Sequence, residues 1–207
     1  MNTPFFSPWR AQFAALGRRT THTLRQATLA QLGEHLAQVI PRHLLASEDE
    51  GPNSRERVYS LRLTFECFVW QLLNPATPCR EVVRQVQALC RLQGHTPPNE
   101  GNSAYIQARQ RLPQERFEQV FQATAVAADQ RAGDLGHLAG RPVKVVDGST
   151  VQLPDTPANQ KAYPQPSTQK PGCGFPVMRL VVLFSLASGA LLEVAWDNLL
   201  SHDMRLL

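Results

Sequence analysis

The chain has 207 residues, 43% of them hydrophobic, which excludes a disordered chain and allows one large domain or two small ones with a real core. The formal net charge is +4 and is unevenly placed: residues 1–142 hold 16 Lys and Arg against 12 Asp and Glu, while residues 143–207 hold five of each. A basic excess suits an anionic partner such as nucleic acid, and it serves plain solubility equally well.

Arginine supplies 18 of the 21 cationic side chains. Its planar fork matches phosphate, although a GC-rich genome gives the same bias. Cys67, Cys79, Cys90 and Cys173 show no CxxC spacing, which argues against a zinc site and for a reduced, cytoplasmic protein. The N-terminus lacks the charged-then-apolar order of a signal peptide. The uncharged run from Leu180 to Leu192 is too short to span a bilayer, so no membrane partner is expected.

The first part reads as helices. "TLRQATLAQLGEHLAQVI" places Leu29, Leu32, Leu36 and Val39 at helical spacing, and Pro41 stops it. Residues 48–54 form a polar linker. Leu61, Phe65, Phe68, Val69, Leu72 and Leu73 define a core-facing stripe that ends at Asn74, Pro75 and Pro78. Val82, Val83, Val86, Leu89 and Cys90 define the next amphipathic helix. A helix pair meeting near Pro75–Pro78 has the outline of a helix-turn-helix, but such pairs are common in all-α packing. Ser103 is placed to cap the short helix "AYIQARQRL", and Pro113 to open another with Phe117, Val120, Phe121 and Ala128 on one face.

The pattern changes at Pro142. "PVKVVDGSTVQL" is a strand by its β-branched content. Residues 154–176 form a loop too long for a simple connection, and long loops in compact domains often carry function. "VMRLVVLFSLA", Ser188-Gly189 and "ALLEVAWDN" read as a hairpin with a tight turn. "SHDMRLL" reads as a helix start capped by Ser201. The expected fold class is α+β, with a helical region over 1–141 and, over 142–207, the opening of a sheet domain that is incomplete.

Asp147 stands where the strand meets Gly148. An Asp-Gly-Ser there reads as a turn signal. It reads also as a carboxylate at a strand end, able to bind Mg²⁺ through oxygen. One carboxylate is insufficient for two-metal phosphoryl chemistry, which needs several acids. The stretch "VVDGSTVQLPDTPANQKAYPQPSTQKPGCGFP", the hairpin after it, "SHDM", and "NSAYIQARQRLP" upstream closely resemble bacterial insertion-sequence transposases of the DDE type. The resemblance spans roughly residues 60–207. It implies an RNase H-like catalytic domain after a helical region. It also implies Mg²⁺-dependent strand cleavage and transfer at element ends, a nucleoid location, and assembly on DNA as a homo-oligomer. By that resemblance Asp147 is the first acid of the catalytic triad and a metal ligand, which outweighs the turn reading.

The second Asp and the Glu of such a triad have no convincing counterpart here. Asp155 sits in the loop, Glu193 and Asp197 fall on or after the last strand, and Asp203 meets a helix dipole. The polypeptide alone is therefore expected not to cut DNA. The rival readings are a non-catalytic DNA-binding remnant that regulates transposition and an inert remnant. Arg109 and Arg111, and Lys161 and Lys170 with Tyr163 in the long loop, are candidate phosphate contacts; a solvated helix face and loop solubility explain them as well. His202 beside Asp203 points a different way on a helix and reads as capping or surface. Trp9, Trp70 and Trp196 read as packing residues.

Overall fold

A computed structural model describes residues 18–46, 58–133, 137–170 and 172–199. The expected linker at 48–54, Trp9 and the whole "SHDMRLL" segment lie outside the described residues. The chain divides into two compact units between Ala123 and Thr124, inside one helix. The mixture of helices and antiparallel strands makes it α+β.

The first unit is helical. Helix α1 is described over residues 18–26, and α2 spans Leu29–Val39. The single long helix expected from 23 onward is therefore two. Thr28 causes the break: its side chain accepts from the Gln31 backbone N–H at 3.3 Å, and Gln31 Oε1 accepts from the Thr28 N–H at 2.9 Å. This reciprocal capping box is worth about 1 kcal/mol, and it fixes a non-helical backbone at residue 28. Leu29 and Leu32 are buried as expected, but Val39 is 40% exposed and Ile40, just past the helix, is buried instead.

A single 3₁₀ turn covers Arg42–Leu45, and α3 spans Leu61–Leu73 under a Ser60 cap. The expected stripe on α3 is only partly right. Phe65 is buried, but Leu72 is 64% exposed, and Thr64, Glu66, Cys67 and Trp70 are buried. The reason is position: α3 lies among α2, α4 and α5, so it buries more than one face. Cys67 and Trp70 join a cluster with Leu29, Leu32, Val82, Val83, Val86 and Tyr105. Phe65 joins a second cluster with Ile40, Leu45 and Val120.

Helix α4 spans Cys79–Leu92 and buries Val82, Val83, Val86 and Cys90, as its periodicity predicts. Helix α5 spans Ser103–Gln110. Ser103 is its first helical residue rather than its cap; Asn102 holds the cap position, without a side-chain hydrogen bond. Helix α6 spans Gln114–Ala132, directly after Pro113.

In the second unit a small ribbon pairs β1 (His137–Leu138) with β2 (Arg141–Pro142). Ala139 and Gly140 between them both adopt positive φ, 51° and 73°, the backbone that a tight hairpin turn requires. The main sheet is antiparallel in the order β3-β4-β5, with β3 at Lys144–Gln152, β4 at Val177–Ser185 and β5 at Leu191–Asn198. The β4–β5 connection occupies residues 186–190, longer than the two-residue turn expected. It closes with the Ser185 N–H donating to the Ala190 carbonyl at 2.9 Å and Gly189 at φ 69°. Ser188 Oγ donates to Asp129 Oδ1 on α6 at 3.4 Å. The long loop carries α7, Pro157–Ala162, capped by Thr156. Trp196 is 48% exposed, so it is not the packing residue its type suggested.

Candidate functional site

Asp147 does not end a strand. Pairing continues through Gly148, Ser149, Thr150 and Val151 to Gln152, and Asp147 lies mid-strand opposite Val182. The turn reading fails for the same reason. Every residue of β3 is exposed. A carboxylate in water carries no burial cost, so Asp147 needs no partner to be tolerated there.

The register decides what shares its face. Directly opposed residues in an antiparallel pair project to the same side. Asp147 therefore shares a face with Val182 on β4 and Val194 on β5, and with Val145 and Ser149 along its own strand. Among the described strand residues on that face, none is cationic. Glu193 opposes Leu183, and Asp197 opposes Arg179, which places both acids on the other face of the sheet. Neither can join Asp147 around one ion. Asp155 instead accepts from Gln160 Nε2 at 2.9 Å within the loop, as a turn residue does. Among the described residues no three His, Cys, Asp or Glu side chains gather to hold a metal.

The loop after β3 is built by its own side chains. Its neck is closed by the Leu153 N–H donating to the Pro176 carbonyl at 2.9 Å. Gln165 does most of the internal tying: Nε2 donates to the carbonyls of Gln169 and Lys170, and Oε1 accepts from the N–H groups of Gly172 and Gly174. Lys161 and Lys170 are exposed on this loop. The loop leaves β3 five residues beyond Asp147, about 17 Å of strand, so nearness in sequence does not put these lysines beside the acid.

In the helical unit Arg109 and Arg111 are both exposed, but they differ. Arg109 Nη1 donates to Gln71 Oε1 at 3.1 Å, and its guanidinium lies 5.7 Å from the Phe68 ring centroid. Arg111 caps the end of α5. Gln71 is the residue that sequence reading missed. Its Oε1 accepts from Tyr105 Oη at 3.0 Å as well as from Arg109, and its Nε2 donates to the Thr77 carbonyl at 2.9 Å. One amide thus ties α3 to α5 and to the turn before α4. Burial pushes the Tyr105 phenol up to about 12, so it stays a donor throughout the ordinary pH range. No periodicity marks such a residue, because a glutamine on a helix usually faces water.

Glu66 is a second buried polar group. Arg62 Nε donates to Glu66 Oε1 at 2.9 Å, yet burial dominates and raises the carboxyl above its usual range. A Cβ on Gly33 would lie 3.1 Å from Glu66 Oε2. This close approach explains a glycine in the middle of α2, where alanine is normally favoured by about 1 kcal/mol.

The chain is 29% identical to the transposase InsG for insertion sequence element IS4 of Escherichia coli, over 178 residues that make up 86% of this chain and 39% of InsG. It is 29% identical to the putative transposase InsZ of the same organism, over 88% of this chain and 62% of InsZ. Its relatives are insertion-sequence transposases. The chain spans less than two thirds of the length of either transposase. A match over 178 of 207 residues includes residue 147 wherever it begins, so Asp147 falls inside the similarity to InsG. No family model and no solved structure matches. No described helix is long and apolar enough to cross a membrane.

Proposed function

We propose that this chain forms the helical region and the first catalytic-domain strands of a DDE-type transposase, with an RNase H-like domain that opens at β3. The similarity to InsG and InsZ across most of the chain carries this reading. In it the helical unit associates with element-end DNA, and Asp147 is the first metal-binding carboxylate, with Mg²⁺ as the metal. The strand supports the assignment. Asp147 lies within a nine-residue strand paired with β4 along its length, water already reaches it, and its face of the described strands carries no competing cation.

Asp147 fits Mg²⁺ as one oxygen ligand. The metal, once bound by a full set of acids, supplies activation of the attacking oxygen and stabilisation of the leaving one. The described residues do not complete that set, because Glu193 and Asp197 point away across the sheet. The remaining acids must come from outside the described residues, and residues 18–199 alone should bind DNA without cutting it. Arg111, Lys161 and Lys170 serve as phosphate contacts, and Arg109 offers the guanidinium donors that Gln71 does not use.

The test is Asp147→Asn in a complete transposase carrying this segment. Strand cleavage and transfer should vanish while element-end binding and the urea midpoint stay at wild-type values. Wild-type transposition by that variant would remove Asp147 from the catalytic centre. Cleavage absent from the wild-type protein too, with binding intact, would favour the non-catalytic DNA-binding reading.

A further inference from the structure

Helix α4 has two faces of different chemistry. Val82, Val83, Val86 and Cys90 are buried against the unit. Arg80, Arg84 and Arg91 are all exposed. At 100° per residue, Arg80, Arg84, Gln87 and Arg91 fall within about 60° of one another, so they form one ridge along about 16 Å of helix. A groove of about 350 Å³ runs beside this ridge, lined by Arg80, Val83, Arg84, Gln87, Glu100 and Gly101. Gln87 Nε2 donates to the Pro98 carbonyl at 2.9 Å, which ties α4 to the segment leading to Glu100 and Gly101.

We propose that this arginine ridge is a docking surface for the phosphate backbone of duplex DNA; the inference rests on the DNA-association reading above and gives it a location. Charge complementarity argues for the occupant: three guanidinium forks in line suit a row of phosphates. The ridge carries no aromatic ring, which separates it from single-strand sites, where bases stack on aromatic side chains. The acids nearby do not neutralise it. Arg84 pairs with Glu81 at 3.2 Å, but that arginine side chain is 75% exposed, and a pair so open exchanges readily for a phosphate. Glu100 is the acid that lines the groove beside the ridge.

The experiment is fluorescence anisotropy of the full chain with a labelled element-end duplex, read as log affinity against log salt. Replacing Arg80, Arg84 and Arg91 together by Ala should reduce the slope by about 0.9 per lost contact, whereas the triple Lys replacement should keep it. If the triple Ala variant fails to fold by circular dichroism, Arg80→Ala and Arg91→Ala singly should each reduce the slope by about 0.9. An unchanged slope in folded Ala variants overturns the ridge and leaves DNA association standing. A wild-type chain that binds no duplex at low salt overturns both, and tighter binding of a single strand than of the duplex overturns the ridge's assignment to duplex DNA.

Discussion

The helical unit and the sheet put similar apolar residues to different uses. In the helical unit, valines at 82, 83 and 86 are buried to 1% exposure or less. In β3, Val145 and Val146 are exposed by 43% and 45%, although they are the same residue type. The helices cover one another, with α3 packed among its neighbours, whereas every residue of β3 is exposed and, among the described residues, the strand pairs with β4 alone. Apolar sequence is therefore a capacity for burial, and a second layer has to realise it. The same contrast explains why Asp147 is tolerated. It stands on the open strand, while the acid of the closed unit, Glu66, needs Arg62 and a glycine opposite it.

The sharpest way to break this comparison is a matched pair of truncations. Leu32→Ala should cost about 2–5 kcal/mol in urea unfolding, because Leu32 is 1% exposed. Val146→Ala on β3 should cost less than about 1 kcal/mol. Equal costs would mean that β3 is covered in solution. Next in size, Gln71→Ala should destabilise the helical unit by about 2 kcal/mol, since it strands the buried Tyr105 hydroxyl and releases Arg109. Gln71→Glu, which keeps both acceptor contacts, should cost less in the same assay.

A smaller effect of opposite sign is expected at Tyr59. Its hydroxyl is buried without a hydrogen-bond partner among the described residues, and burial pushes the phenol up to about 12. Tyr59→Phe should raise stability by about 1 kcal/mol; destabilisation would reveal a bonding partner for the hydroxyl. The smallest effect concerns pH. The Glu66 carboxyl is raised by burial, so the folded state holds its proton more tightly than the unfolded state does. Its stabilising contribution is fully present below the unfolded pKa and is lost as pH rises through the folded pKa. The stability of wild type relative to Glu66→Gln should therefore fall as pH climbs from the acid range to neutrality. A difference that is flat, or that grows with pH, would show that Arg62 outweighs burial.

Some of this was legible in the residues alone. The amphipathic stripe of α4, the stop at Asn74, the start of α6 after Pro113 and the hairpin of β4 with β5 are encoded within a few neighbouring residues. So is the resemblance to insertion-sequence transposases, which the known relatives share. The misses have a common cause. Thr28 splits a helix that periodicity joins, because a capping box competes locally with helix continuation. Leu72 and Val39 sit on a helical stripe yet face water, because the stripe's width depends on how many neighbours surround the helix.

Local chemistry determined where the main helices and the three long strands lie and marked Asp147 as a residue of interest. Only tertiary structure decided that Asp147 lies mid-strand in water, that Glu193 and Asp197 fall on the opposite face, and that one glutamine holds three elements together. Those facts depend on strand register and on long-range packing. Both are fixed by partners distant in the chain, and a side chain's face reverses with a single-residue slip that no local pattern records.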